Sequence, residues 1–125
     1  MAIREQLDEV ERTIGFRYPS SFAAKVEELS RLLATKRFRR AFSDTRLLLS
    51  APDITAARDH IPGAFLPFMR EEQPSWPDIY AFDLGSDGPE FHVVIWSDHA
   101  VVMDWADFAV FLEWIYEQIS KHGKA

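Results

Sequence analysis

The stretch from Asp78 to Ser120 constrains the fold more than any other part of the chain. It begins with short apolar runs rich in β-branched and aromatic residues, which suit strands. Turn-forming residues at 85–89 and 97–99 separate these runs, and such separators are typical of an antiparallel meander. The three runs are Ile79–Leu84, Phe91–Trp96 and Ala100–Met103.

After the third run, the apolar period changes from two residues to about 3.6, which indicates a helix. Its predicted buried face carries Phe108, Leu112, Ile115 and Ile119, with Trp105 beside them. Asp104 is the expected N-cap and Asp107 adds negative charge to the first turn. A sheet followed by a helix that covers its apolar face is therefore the predicted core.

The same segment is strongly acidic. No Lys or Arg occurs from position 71 to 120, whereas the whole chain has a net charge of −6. Such a surface favours a basic protein partner, or serves solubility alone. The acids of this segment are Glu71, Glu72, Asp78, Asp83, Asp87, Glu90, Asp98, Asp104, Asp107, Glu113 and Glu117.

Length and composition limit the remaining possibilities. The 125 residues suit one domain, predicted over 1–125. The absence of Cys excludes disulfides, thiolate catalysis and Cys-based zinc sites. No apolar run is long enough for a transmembrane helix, and the charged N-terminus is unlike a signal peptide. We therefore expect a cytoplasmic protein that binds neither membrane nor nucleic acid.

The first 70 residues predict three helices and two strands. Apolar residues at helical spacing mark a helix from Ile3 to Ile14, and a second begins near Tyr18-Pro19-Ser20. The basic run Lys36–Arg40 is interpreted as a solvated helix end or as a patch for phosphate or an acidic partner. A strand at Arg46–Ser50, a helix reaching His60 and a strand at Ala64–Met69 complete the order α-α-β-α-β-β-β-β-α.

This order predicts an α+β fold without βαβ alternation. We expect a mostly antiparallel sheet packed by two N-terminal helices and a C-terminal helix.

Catalytic and metal-binding patterns are absent from the sequence. His60, His92 and His99 lie in no recognisable ligand spacing, and no serine lies in a nucleophile elbow. We expect no enzymatic activity, no metal and no cofactor. One alternative is a small hydrolase that uses the Asp-rich turns around Asp83, Asp87 and Glu90; a pocket lined by Asp83, Asp98 and His99 would favour it.

Two tryptophans are candidate interface anchors, because Trp is common at binding hot spots. Trp76 lies between prolines in an acidic loop. Trp114 lies well off the centre of the buried stripe of the last helix. The alternative is that neighbouring residues cover both side chains.

Five motifs, taken in chain order, resemble those of the SUKH superfamily. The first resembles the link between that superfamily's two N-terminal helices, the next three its strand motifs, and the last its final helix. They are Ile14-Gly15-Phe16-Arg17-Tyr18-Pro19-Ser20-Ser21-Phe22, Phe65-Leu66-Pro67-Phe68, Ile79-Tyr80-Ala81-Phe82-Asp83-Leu84, Val94-Ile95-Trp96-Ser97-Asp98-His99, and the segment from Trp105 to Ile115.

The resemblance implies a function in protein binding. The superfamily contains fungal SMI/KNR-type cell-wall regulators and many bacterial toxin-immunity proteins, and it is not enzymatic in general. The chain departs from the family at Lys36–Arg40 and at the loop 71–77. We expect an immunity protein that neutralises a cognate toxin; an intracellular scaffold or regulator is the alternative.

The acidic segment suggests where such a toxin would bind. Many toxins of this kind are nucleases, whose clefts must be basic to hold phosphate. An acidic surface that meets such a cleft speeds association and rejects wrong partners. The alternative is an ordinary solvated face, on a monomer or a homodimer. The expected partner-binding residues are Glu71, Glu72, Trp76, Asp78, Asp87, Glu90 and Asp98.

Overall fold

The structure is a computed structural model that describes residues 2–42, 44–72, 76–86 and 90–122. Within these ranges it contains helices and strands in the order α1, α2, α3, β1, α4, β2, β3, β4, β5, α5. The helices are α1 Ile3–Ile14, α2 Ser20–Leu33, α3 Lys36–Ala41, α4 Ala51–Arg58 and α5 Phe108–His122. The strands are β1 Thr45–Leu47, β2 Phe65–Glu71, β3 Asp78–Asp83, β4 His92–Ser97 and β5 Ala100–Trp105.

The strands form one antiparallel sheet in the order β1-β2-β3-β4-β5. The predicted α+β fold with a mostly antiparallel sheet is therefore confirmed. Because cross-strand partners share a face, the register defines rows of side chains. Two rows face the helices: Leu66–Phe82–Val93–Trp105 and Leu47–Met69–Tyr80–Ile95–Met103.

An aromatic cluster centred on Phe22 joins the helices to the sheet. The Phe22 ring lies 5.3 Å from Phe68 and 5.4 Å from Phe82, and 5.2 Å from Phe108 of α5 (centroid distances). Phe22 itself belongs to α2, and all four side chains are at most 1% exposed. Edge-on and tilted aromatic pairs add to the stabilisation that burial provides.

The link between α1 and α2 is fixed to the sheet by Tyr18. Gly15 adopts the left-handed conformation (φ 79°) that ends α1, as its position predicted. The Tyr18 N–H then donates to Glu11 Oε2 at 2.7 Å, and its buried hydroxyl donates to the Pro67 carbonyl at 3.2 Å. One side chain therefore connects the helix pair to β2.

The basic run is a separate helix, which corrects the interpretation of it as the end of the second helix. Helix α2 ends at Leu33, and the Thr35 hydroxyl caps α3 by accepting from the Phe38 N–H at 3.2 Å. Phe38 is buried and stacks on Phe42 with centroids 4.7 Å apart. The run 36–40 is thus amphipathic, with one buried aromatic among exposed cations.

The last strand and the last helix also differ from prediction. Strand β5 continues to Trp105, so Asp104 lies in the sheet and is not the N-cap. Asp107 caps α5 instead, since its Oδ1 accepts from the Val110 N–H at 2.9 Å. Trp105 packs on the helix from the strand, 5.0 Å from the Phe111 ring.

Replacing Asp107 with Ala should lower the free energy of unfolding by about 1 kcal/mol, because α5 loses its cap. The Asp104→Ala variant is the matched control and should cost less than about 0.5 kcal/mol, since Asp104 is exposed. Urea unfolding followed by circular dichroism measures both. A larger loss of stability for Asp104→Ala than for Asp107→Ala would show that Asp104, and not Asp107, caps the helix.

Replacing Phe22 with Ala should cost about 3–5 kcal/mol, because the cavity would lie at the centre of the aromatic cluster. Val110→Ala on the exposed face of α5 is the control and should be close to neutral. A Phe22→Ala variant whose unfolding midpoint in urea matches that of wild type would contradict the assignment of this cluster as the core.

Candidate protein-binding surface

The antiparallel register collects most of the predicted partner-binding residues at one end of the sheet. Strand β2 finishes at Glu71 opposite Asp78, the first residue of β3, and Glu72 follows directly. The β4–β5 turn, which carries Asp98, lies at this same end because β4 runs antiparallel to β3. We call Asp44, Glu71, Glu72, Asp78 and Asp98 the acidic end.

Asp44 belongs to this group although it was not among the residues predicted to bind a partner. It precedes β1, is exposed, and its carbonyl accepts from the Glu72 N–H at 2.9 Å. The pairing of Thr45 with Glu71 places it beside the end of β2. Only the register reveals this, since Asp44 lies far from the acidic segment in sequence.

Glu90 belongs to a different part of the molecule. It precedes β4 at the opposite end of the sheet, which is about 17 Å away along a six-residue strand. Its Oε1 accepts from Ser20 Oγ at 2.9 Å and from the Ser21 N–H at 3.2 Å. Glu90 therefore caps α2, where negative charge is favourable. The predicted residue Asp87 lies outside the described residues.

Tyr80 holds Glu71 in place. The Tyr80 hydroxyl donates to Glu71 Oε1 at 3.0 Å from a side chain that is 2% exposed. Burial, and then the Glu71 carboxylate, raise the pKa of Tyr80 far above its ordinary value of 10.0. The phenol stays protonated and so remains a donor to Glu71 throughout the physiological pH range.

Arginine partly offsets the charge of the acidic end. Arg70 Nε lies 2.6 Å from Glu72 Oε1, without the alignment of a hydrogen bond. Its cross-strand neighbour Arg46 pairs with Asp53 at 3.4 Å. Arg39 of α3 lines the same surface depression as Asp44. The fold therefore brings arginines from distant parts of the sequence close to these acidic residues.

The two candidate aromatic anchors differ in exposure. Trp76 is 44% exposed and precedes β3 at the acidic end. Trp114 is half-buried, with its ring centroid 4.7 Å from that of Trp105 and 5.7 Å from that of Phe42. Trp114 thus fills the space between α5, β5 and the segment after α3, while Trp76 presents its ring to solvent.

The Asp98 position depends on a tight turn. Asp98 and His99 both have positive φ, 48° and 67°, and Ser97 pairs with Ala100. A two-residue loop with this geometry matches the twist of a hairpin, and Asp tolerates it better than most residues. Asp98 is exposed as a result.

Asp83, Asp98 and His99, which would line the pocket that favours hydrolysis, do not lie together. Asp83 ends β3 at the opposite end of the sheet from Asp98 and His99, and its Oδ1 accepts from the Gly85 N–H at 2.9 Å. His92 Nδ1 instead lies 2.8 Å from Asp104 Oδ1 on exposed strand surface. Among the described residues, no three potential ligand side chains form a metal-binding group.

An exposed apolar strip on β5 was not foreseen from the sequence. Val101, Val102 and Met103 are 43%, 56% and 37% exposed, although their run is as apolar as the buried strands. The position of this run could have indicated its exposure, because the last strand of a meander has a neighbouring strand on one side only.

No family model, curated protein or solved structure matches this chain. Within the described residues, every helix is too short or too polar to span a bilayer. The geometry of the acidic end is therefore the basis for assigning a function.

Replacing Tyr80 with Phe tests whether this hydroxyl stabilises Glu71. At pH 7 the variant should lose about 1 kcal/mol, because a buried hydrogen bond disappears. Above pH 10 the unfolded chain releases the Tyr80 proton while the folded chain keeps it, so wild type loses about 1.4 kcal/mol more per pH unit than the variant. Urea unfolding at pH 7 and across pH 10–11 measures both; parallel pH profiles would contradict the assignment.

Proposed function

We propose that this chain is a non-enzymatic protein-binding domain of the SUKH type, an immunity protein that binds a toxin domain through its acidic end. The observation that carries the proposal is the collection of five carboxylates and an exposed Trp at one end of the sheet. The proposed place of action is the cytoplasm, and the proposed partner is a basic protein.

Electrostatics supports a basic partner over a neutral one. From position 71 to 120 the chain contains no Lys or Arg, so the strands and turns from β3 onward contribute only negative charge. A surface with an excess of negative charge attracts positive charge over about one Debye length, which is about 8 Å at physiological salt. The basic cleft of a nuclease toxin is a surface of the required sign.

The acidic end is also organised before binding. Glu71 is held by Tyr80, Glu72 lies against Arg70, and the turn fixes the backbone of Asp98. Side chains that are already ordered lose less conformational entropy when a partner binds. Charges fixed in this way suit recognition of one defined surface better than mobile carboxylates would.

A scaffold or regulator is the second candidate, and helix α3 favours it. Lys36, Arg37 and Arg39 are exposed on this helix. They give the molecule a basic surface next to an acidic one, which suits a protein that joins two partners. Neutralising these three cations should leave toxin protection intact if the chain is an immunity protein.

The direct test is growth rescue. The test pairs this chain with a toxin domain from a neighbouring gene: cells that express such a domain should survive when the chain is co-expressed. A variant with Asp44→Lys, Glu72→Gln and Asp98→Asn should protect less. Its association rate with the purified toxin domain should fall about three- to tenfold at low salt and converge with wild type at high salt.

The matched control carries Asp8→Lys, Glu9→Gln and Glu27→Gln. These residues are exposed on α1 and α2, and the change in net charge is the same. The control should protect like wild type, with circular dichroism showing all three proteins folded. If both variants lost protection and association rate to the same extent, net charge alone would determine binding, and the position of the acids would not matter. If neither set had an effect, the acidic end would not be the binding surface.

A further inference from the structure

Strand β5 has the features of an interface core. It is one of the two edge strands of the sheet, and its apolar strip, Val101, Val102 and Met103, is exposed whereas strands β2, β3 and β4 are largely buried. Met103 shares a core row with Ile95, yet is 37% exposed where Ile95 is 5% exposed. Val101 instead pairs with Trp96, on the other face of the sheet, so the strip spans both faces at the outer edge of β5, which helix α5 leaves open.

The opposite edge of the sheet is protected against association. Strand β1 has three residues, and its central residue, Arg46, is exposed. Short edge strands and charged side chains are the usual protection of sheet edges. The apolar strip has no charge over residues 99–103 and so lacks that protection.

A β-bulge argues against strand addition by a second copy. The register between β4 and β5 shifts at Ile95/Trp96, so that Val102 is the extra residue between Val101 and Met103. A bulge interrupts the backbone groups that a continuous ladder would need. A partner at this edge would therefore be recognised through side-chain contacts and not through backbone hydrogen bonds.

The charges next to the strip select the partner. Asp104 follows Met103 directly and Asp98 precedes Val101 by three positions, so both carboxylates lie within roughly 10 Å of the strip. Both are exposed. In a second copy these acids would repel their counterparts, since every molecule carries a net charge of −6. Lys or Arg on a partner would be attracted.

We propose that the apolar strip on β5 is the centre of a contact with a basic partner that presents apolar side chains flanked by Lys or Arg. This rests on the proposed function and deepens it. An apolar centre with a charged rim is the usual anatomy of a protein interface. Asp98 belongs to both the rim and the acidic end, so the two surfaces are continuous. The strip would slow dissociation while the acids speed association.

A random peptide library displayed on phage tests this without any toxin. The library is selected on the wild-type chain, and the recovered peptides are measured against two matched variants, Val102→Lys on the strip and Val110→Lys on α5. Both replace a valine that is more than 40% exposed, so both should fold. We expect peptides with apolar residues flanked by Lys or Arg, whose affinity falls at least tenfold for Val102→Lys and is unchanged for Val110→Lys.

A second variant, Asp98→Asn with Asp104→Asn, should weaken the same peptides at low salt and have little effect at high salt. The proposal is overturned if no peptide is enriched, if the recovered peptides lack basic residues, or if Val102→Lys binds them like wild type. It is also overturned if sedimentation shows a dimer that Val102→Lys abolishes, because the occupant would then be a second copy. Growth rescue is independent of this selection, so the failure of either proposal is recognised separately.

Discussion

The packing of Phe22 against Phe68, Phe82 and Phe108 is the contact on which the rest of the structure depends. It joins α2, strands β2 and β3, and α5 at one point, and these elements come from distant parts of the chain. Burial of large aromatic side chains is the main source of free energy in a core of this kind. This contact fixes the face of the sheet that packs against α2 and α5, while strand register determines where the acidic end lies.

The core was predictable because apolar periodicity reports burial directly. The apolar run around Phe82 and the predicted helix face of Phe108, Leu112, Ile115 and Ile119 are both buried as expected. Boundaries were harder, since Asp104 and Asp107 are equally good caps in sequence, and only the length of β5 decides between them. The separate helix α3 was missed because its six residues contain one buried apolar side chain, Phe38, which is too few to show a helical period.

The acidic character of the candidate surface was predictable from the sequence, but the residues that form it were not. An acidic segment without Lys or Arg is visible in the sequence, whereas its distribution over the two ends of the sheet follows from register. The register places Glu71, Asp78 and Asp98 at one end of the sheet, together with Asp44 from outside the segment. Glu90 lies at the other end, where it caps α2. The exposure of Val102 likewise follows from strand order, because the same residues in a central strand would be buried.

The central claim is that one continuous surface, from the acidic end to the apolar strip, binds a basic partner. Hydrogen exchange measured by mass spectrometry, on the chain alone and in complex with the proposed toxin partner, tests this claim most directly. The account predicts slower exchange on binding in peptides covering residues 76–78 and 97–104, with α1 unchanged. Protection confined to α1 and the exposed face of α2, with residues 97–104 unaffected, would contradict it.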